Sequence, residues 1–146
     1  MRSLRTFEMD ERLDSGRSVV RASFAFQAPD RMRYVMSNGA RAVLVGERRW
    51  DWTAGRWAES EYQRLSVPSY PWTQARNARL VGRTRRSGKP VSVLTAFLSR
   101  DGYLSWFRLE VASDGLVLES RMAAPAHFMV DRYHSFNRSL TIEPPR

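Results

Sequence analysis

The stretches VRASFAF at Val20–Phe26 and RMRYVM at Arg31–Met36 decide the fold of this chain. In both, every second side chain is apolar; the positions between hold Arg21, Ser23 and Ala25 in the first stretch and Arg31, Arg33 and Val35 in the second. Alternation with a period of two is typical of a β-strand that has one covered face and one polar face. The two stretches therefore predict neighbouring strands with a shared covered face, formed by Phe24, Phe26, Met32, Tyr34 and Met36, and an opposite, polar face that carries Arg31 and Arg33.

The same alternation continues along the chain, and turns that contain glycine separate many of the strand-like segments. Glycine supplies the positive φ that tight hairpins need, and it stands in such turns at Gly16, Gly39, Gly55, Gly88, Gly102 and Gly115. No stretch with helical periodicity competes. About eleven strands are predicted, at Leu4–Leu13, Val19–Phe26, Arg31–Met36, Arg41–Val45, Arg49–Thr53, Arg56–Tyr62, Ala75–Arg85, Val91–Leu98, Tyr103–Ala112, Leu116–Ala123 and His127–Phe136.

So many sequential strands in 146 residues predict one all-β domain, residues 1–146. A strongly curved antiparallel meander, closed or half closed into a barrel, would protect both the sheet edges and the apolar face. Its apolar face would be concave. The irregular connection Gln63–Thr73 contains Pro68 and Pro71, which break strands and helices, and we expect it to cross the mouth or an edge of the sheet.

Aromatic residues are the most informative candidates for a site, since the chain has five tryptophans, five tyrosines and seven phenylalanines. A concave apolar face must be filled by its own side chains, by a lid or by a ligand. We expect the strand Arg49–Thr53 to add its tryptophans to the covered face. The predicted ligand cavity is thus lined by Phe24, Phe26, Met32, Tyr34, Met36, Trp50, Trp52 and Phe107.

Charge gives a weaker signal. The net charge is +9, and Lys89 is the only lysine among 24 basic residues. A basic chain suggests an anionic partner, but a nucleic-acid footprint should cluster, and these arginines are scattered from Arg2 to Arg146. Nucleic acid is therefore not the expected partner.

Catalysis has little support in the sequence. There is no cysteine, and no catalytic or nucleotide-binding motif is present, so a binding function without a cofactor is predicted. Copper is the open alternative, because the thioethers of Met122 and Met129 with the imidazole of His127 suit Cu(I). His134, seven residues after His127, should point to the opposite strand face.

The chain also lacks the marks of a membrane segment. No apolar run approaches the ~20 residues that span a bilayer. Met1–Arg12 alternates charged and apolar residues and does not read as a signal peptide.

Three segments carry a resemblance to a known family. The run Phe24–Tyr34 includes Ala-Pro-Asp-Arg-Met-Arg-Tyr after a strand, Trp50 and Trp57 flank a later turn, and Met122–Met129 is followed by Tyr133. In these segments the chain resembles LolA-like domains, which occur in bacterial lipoproteins and in membrane-bound copper-resistance proteins of the CopD type.

The resemblance implies an unclosed, eleven-stranded half-barrel in the cell envelope, outside the cytoplasm, that holds an acyl chain or lipid in its concave face. It also implies a membrane-anchored partner or parent protein, and the loop Gln63–Thr73 would stand where the family has a helical lid. Two other readings stay open, a copper-handling domain and a protein-contact module whose cavity is filled by its own side chains.

Overall fold

The computed structural model describes residues 1, 4–62, 70–100 and 102–146. Within these ranges the chain forms eleven β-strands and one four-residue 3₁₀ helix, Pro71–Gln74, and no helix there is long and apolar enough to cross a membrane. The strands are β1 Thr6–Asp14, β2 Val19–Gln27, β3 Arg31–Met36, β4 Arg41–Val45, β5 Arg48–Thr53, β6 Arg56–Ser60, β7 Arg76–Arg86, β8 Lys89–Arg100, β9 Tyr103–Ala112, β10 Val117–Ala124 and β11 His127–His134.

All eleven strands belong to one sheet, in the order β6-β5-β4-β3-β2-β1-β11-β10-β9-β8-β7. Consecutive strands are neighbours except at one break, because β6 and β7 stand at the two ends of the order while β1 joins β11. The sheet is antiparallel, strongly curved and unclosed, so the predicted all-β half-barrel is confirmed.

The sheet divides into two compact units, which are described separately. The β2–β6 unit comprises residues 4–10, 20–62 and 134–146, and the β7–β11 unit comprises residues 11–19 and 70–133 together with Met1.

The hairpin turns form where glycine predicts them. Between β3 and β4, Gly39 has a φ of 90°, and the amide of Ala40 donates to Asn38 Oδ1 at 3.1 Å. Between β5 and β6, Ala54 and Gly55 both have positive φ, as a two-residue hairpin turn requires.

The β7–β11 unit buries its core on one sheet face. Phe107 is 1% exposed, and its register partners are Ala96 and Met122. Positions 63–69 of the predicted loop Gln63–Thr73 lie outside the described residues. From Tyr70 onward the chain is described, and the rings of Tyr70 and Trp72 contact that of Tyr133, with centroids 6.3 and 5.4 Å away.

The other face of this unit carries a network of arginines and buried glutamates. Glu119 is 1% exposed and forms ion pairs with Arg86, Arg121 and Arg132, while Arg86 also binds Glu110. Burial alone would raise the pKa of Glu119, but the hydrogen bonds from these arginines outweigh it and hold that pKa below its usual range. Part of the arginine excess thus stabilises the sheet.

Candidate functional site

The predicted apolar face of β2 and β3 exists. Phe24 lies opposite Tyr34 and Phe26 opposite Met32, and directly opposed residues share a face. Met36 lies opposite Ala22 on the same side. These residues form what we call the aromatic face of the β2–β6 unit: Phe7, Phe24, Phe26, Met32, Tyr34 and Met36.

The aromatic face has a buried base and a half-exposed rim. Phe7 stacks on Phe26 with centroids 4.5 Å apart, and the two are only 2% and 8% exposed. Phe24 contacts both Phe26, at 6.0 Å, and Tyr34, at 5.6 Å. Phe24 and Tyr34 are half-buried, as are both methionines of the set, so solvent reaches large apolar side chains that rest on a packed base.

A neutralised polar group borders this face. Arg49 lies on it, because its register partner Leu44 is opposite Met32. The guanidinium donates to the hydroxyl of Tyr34 at 3.0 Å and to Asp51 at 2.7 Å. The hydrogen bond from Arg49 holds the pKa of Asp51 below its usual range, so the pair stays ionised. The border thus offers hydrogen-bonding groups with no net charge.

The expectation that Trp50 and Trp52 share the aromatic face is wrong. Trp50 lies opposite Val43, and Val43 lies opposite Arg33, so both tryptophans belong to the other face. The reason is β4, whose residues Ala42 to Leu44 are all buried. Because this strand is apolar on both faces, its sequence does not show which side chains of the next strand, β5, share the face of Tyr34.

That other face is also less polar than predicted. Ile142 of the C-terminal segment packs on Ala25 and Val43 and is 2% exposed. Gln27 Oε1 accepts from the amide of Ile142 at 2.8 Å, and Arg31 donates to its carbonyl at 2.7 Å. Arg31, expected on a solvent-facing surface, therefore holds the backbone of a covering segment.

A cavity of about 340 Å³ opens on this second face, near that segment. This volume is at the lower end of the range for small-molecule sites. Most of its lining residues belong to that face; Phe24, Tyr34 and Ala42 also line the cavity, although strand alternation places their side chains on the aromatic face. We call it the Arg33 cavity, and its lining includes Glu8, Ser23, Ala25, Arg33, Val35, Val43 and Trp57.

Phe107 belongs to a different unit from the other predicted cavity residues. It belongs to the β7–β11 unit, where it is a fully buried core residue. The structure therefore gives no accessible surface of Phe107 to a ligand.

The copper reading gains no support. Met122 and Met129 are opposite each other, and His127 shares their strand face but is itself exposed. The described ranges contain no group of three or more His, Cys, Asp or Glu side chains that could hold a metal ion. His134 points to the opposite face, as predicted, where its Nε2 lies 3.2 Å from Asp10.

The sequence reasoning missed a buried carboxyl, Asp131, and a half-buried one that it influences, Glu11, in the β7–β11 unit. Asp131 is 2% exposed, and its Oδ2 accepts hydrogen bonds from Ser120 at 2.9 Å and from Tyr133 at 3.2 Å. Burial raises the pKa of Asp131 to about 6, and burial followed by the charge of Asp131 raises the pKa of Glu11 to about 7. A signal was present, because Asp131 occupies the apolar phase of β11, between Met129 and Tyr133.

No model of a known protein family matches the chain, and no curated protein does. Solved structures do. The lipoprotein LppX of Mycobacterium tuberculosis is 11% identical, with a TM-score of 0.73 over 97% of this chain and 91% of that one. LprF of Mycobacterium bovis is 9% identical, with a TM-score of 0.68 over 98% and 90%. The MucA/MucB complex of Pseudomonas aeruginosa gives 19% identity and a TM-score of 0.57, over 95% of this chain and 54% of that one.

These similarities establish the fold. The predicted LolA-like architecture is confirmed, since the matches to LppX and LprF span nearly the whole of both chains. At such low identities they show shape and not activity. A link to CopD-type proteins is not shown.

Proposed function

We propose that this domain binds an apolar group, such as the acyl chain of a lipid, on the aromatic face, and that it acts by binding and not by catalysis. One observation carries the proposal: the half-exposed side chains of Phe24, Met32, Tyr34 and Met36 lie together over the buried Phe7–Phe26 stack. A contiguous, solvent-reachable apolar patch is a mark of a ligand or interaction surface.

The chemistry of the patch suits a chain-like ligand. Aromatic rings give broad contact area, and methionine adapts its shape to irregular apolar partners. The Tyr34 hydroxyl and the Arg49–Asp51 pair at the border would meet the polar end of an amphiphile. The fold is shared with LppX, which is named as a lipoprotein, and this supports a location in the cell envelope.

A displacement assay with an uncharged naphthylamine dye tests the proposal. Tyr34→Ala should weaken dye binding at least fivefold, because it removes one wall of the patch. Tyr34→Phe, which loses only the hydroxyl, should stay within twofold for the dye and should weaken binding of a fatty acid more. The melting temperature of each variant shows that it is folded.

Val35→Ala is the matched control, since Val35 neighbours Tyr34 in β3 but lies on the other face, beside the Arg33 cavity. It should leave dye binding unchanged. If Val35→Ala weakens binding and Tyr34→Ala does not, the ligand site is the Arg33 cavity and the proposal is wrong. Native mass spectrometry of protein purified without detergent should also show a retained apolar ligand.

The competing function is a protein-contact module. MucB, which has a similar fold over half its length, was solved in complex with MucA. If the folded wild type binds neither dye nor fatty acid and purifies without any ligand, the contact module replaces the carrier.

A further inference from the structure

The end strand β7 presents a long edge that no described strand covers. It runs for eleven residues, Arg76–Arg86, stands last in the sheet order beyond β8, and pairs with β8 in unbroken register from Gly82 to Arg86, after shifts at Arg76/Arg79 and Leu80/Gly82. Nearly all of its residues are exposed, including Leu80 and Val81, which are 57% and 58% exposed. An uncovered edge carries a row of backbone donors and acceptors that another extended segment pairs with readily.

The charge of β7 is uniformly positive. Five of its eleven residues are arginine and none is acidic. Arg86 is committed to Glu110 and Glu119, and Arg85 donates to the carbonyl of Gly88. Within the described parts of the chain, Arg76, Arg79 and Arg83 have neither an ion pair nor a side-chain hydrogen bond. Three guanidinium groups are thus available along one edge.

A cavity of about 840 Å³ lies at the Arg76 end of this edge. Arg76 is the register partner of Phe97, and both line the cavity together with Leu98, Arg100 and Leu104. Phe97 and Leu104 are 41% and 55% exposed, which is unusual for large apolar side chains of a sheet. An apolar anchor flanked by arginines therefore adjoins the edge.

Charge decides which partner fits. A second copy of this chain would bring its own arginines opposite those of β7, which repels, whereas glutamate and aspartate would pair with them. The other end strand, β6, is five residues long and already pairs its Glu59 with Arg48. Nucleic acid and anionic membranes could neutralise the arginines, but neither satisfies a row of strand hydrogen bonds.

We propose that the outer edge of β7 binds an extended acidic segment of a partner protein, which adds to the sheet as a further strand and places an apolar side chain in the cavity at Arg76. Backbone pairing supplies affinity in this mode, and side-chain pockets supply specificity. The site belongs to the β7–β11 unit and uses no residue of the aromatic face. Its test is therefore independent of the test of the proposed lipid site.

Fluorescence anisotropy with a labelled nine-residue peptide tests it. The peptide alternates glutamate and valine and carries one phenylalanine near an end. The double variant Arg79→Glu/Arg83→Glu should lose at least tenfold in affinity. The matched control Arg17→Glu/Arg21→Glu makes the same change of net charge at exposed arginines outside β7 and should stay within twofold to threefold.

Two N-methylated peptides separate strand addition from plain charge attraction. Methylation at alternate residues blocks the N–H donors of one edge of the peptide strand. One of the two methylation patterns should therefore abolish binding, and the other should preserve it. Hydrogen exchange should show new protection in β7 and none in β6.

The proposal is overturned if both methylated peptides bind equally, or if a lysine version of the peptide binds as well as the glutamate version. It is overturned likewise if protection appears in β6, or if both double variants weaken binding to the same extent. Tighter binding of single-stranded DNA or of phosphatidylglycerol vesicles that depends on Arg79 and Arg83 would assign the edge to that partner instead.

Discussion

Acidification from pH 7.5 to 4.5 should stabilise this protein, because Asp131 is buried where its charged form is disfavoured. The native state raises the pKa of Asp131 from its ordinary value of 3.8 to about 6. Between those values the native carboxyl holds a proton that the unfolded chain has released. The free energy of unfolding therefore increases as the pH falls through 6 and reaches its full gain near pH 4.

The size of the gain follows from the shift. Two pKa units at 1.36 kcal/mol each give about 3 kcal/mol, an upper value for a single carboxyl. Glu11, whose pKa burial raises to about 7, adds a smaller amount in the same direction, since it is partly exposed and solvent screens it. Carboxylates with lowered pKa values, such as Glu119 and Asp51, begin to cost stability only below about pH 4.5.

Asp131→Asn isolates the effect. Asparagine keeps an oxygen to accept from Ser120 and Tyr133 but has no proton to take up. Urea unfolding followed by tryptophan fluorescence at pH 7.5, 6.5, 5.5 and 4.5 should show that the variant gains about 2–3 kcal/mol less than wild type over this range. Glu143→Gln, at an exposed position, should follow the wild-type curve.

Two results would refute this reasoning. If Asp131→Asn has the same pH slope as wild type, the carboxyl is not desolvated in solution. If the wild type loses stability between pH 7 and pH 5, the native state favours the charged carboxylate and the assignment of its cause is wrong.

Three further predictions concern packing. In chemical denaturation, Phe26→Ala should lower the free energy of unfolding by about 3–5 kcal/mol and Tyr34→Ala by only about 1–2 kcal/mol, because only the ring of Phe26 is fully enclosed. Equal losses would mean that the aromatic face is closed to solvent. Arg86→Met should cost about 1–3 kcal/mol by the same measurement, since Glu110 and Glu119 stay buried with fewer partners, and a neutral result would contradict the network. In thermal or urea unfolding, Ile142→Ala should lower the free energy of unfolding by about 2–4 kcal/mol, and Thr141→Ala, at an exposed position, by under about 0.5 kcal/mol. The reverse order would show that the C-terminal segment packs with Thr141 and not Ile142 towards the sheet.

The sequence predicted local structure better than it predicted faces. Strand bounds and turns followed from alternation and glycine, since both act within a few residues of the chain. The aromatic face of β2 and β3 was predicted for the same reason. The phase of β5 was not, because it depends on pairing across β4, whose residues Ala42 to Leu44 are apolar on both sides.

Features that depend on distant residues were beyond the reach of the pattern. The residues around Ile142 show no pattern that predicts the hydrogen bonds of its backbone with Gln27 and Arg31, over a hundred positions earlier. Asp131 appeared as one more charged residue, although its strand phase placed it among apolar neighbours. The functional reading of Phe24 and Tyr34 stays a prediction, since half-burial shows access and not occupancy.

The C-terminal segment also bears on the order in which the two units fold. The β7–β11 unit is a run of hairpins between consecutive strands, whose contacts close over short loops. The β2–β6 unit is completed only when Asn137 reaches Arg5 and Ile142 reaches Gln27, across separations of 132 and 115 residues. Long loops are entropically costly to close and slow to form, so we expect the hairpin unit to form first and the aromatic face to gain its final support last. Until the C-terminal segment docks, Ala25 and Val43 would stay uncovered. In the cell, a chaperone would therefore have to shield these apolar residues until that last step is complete.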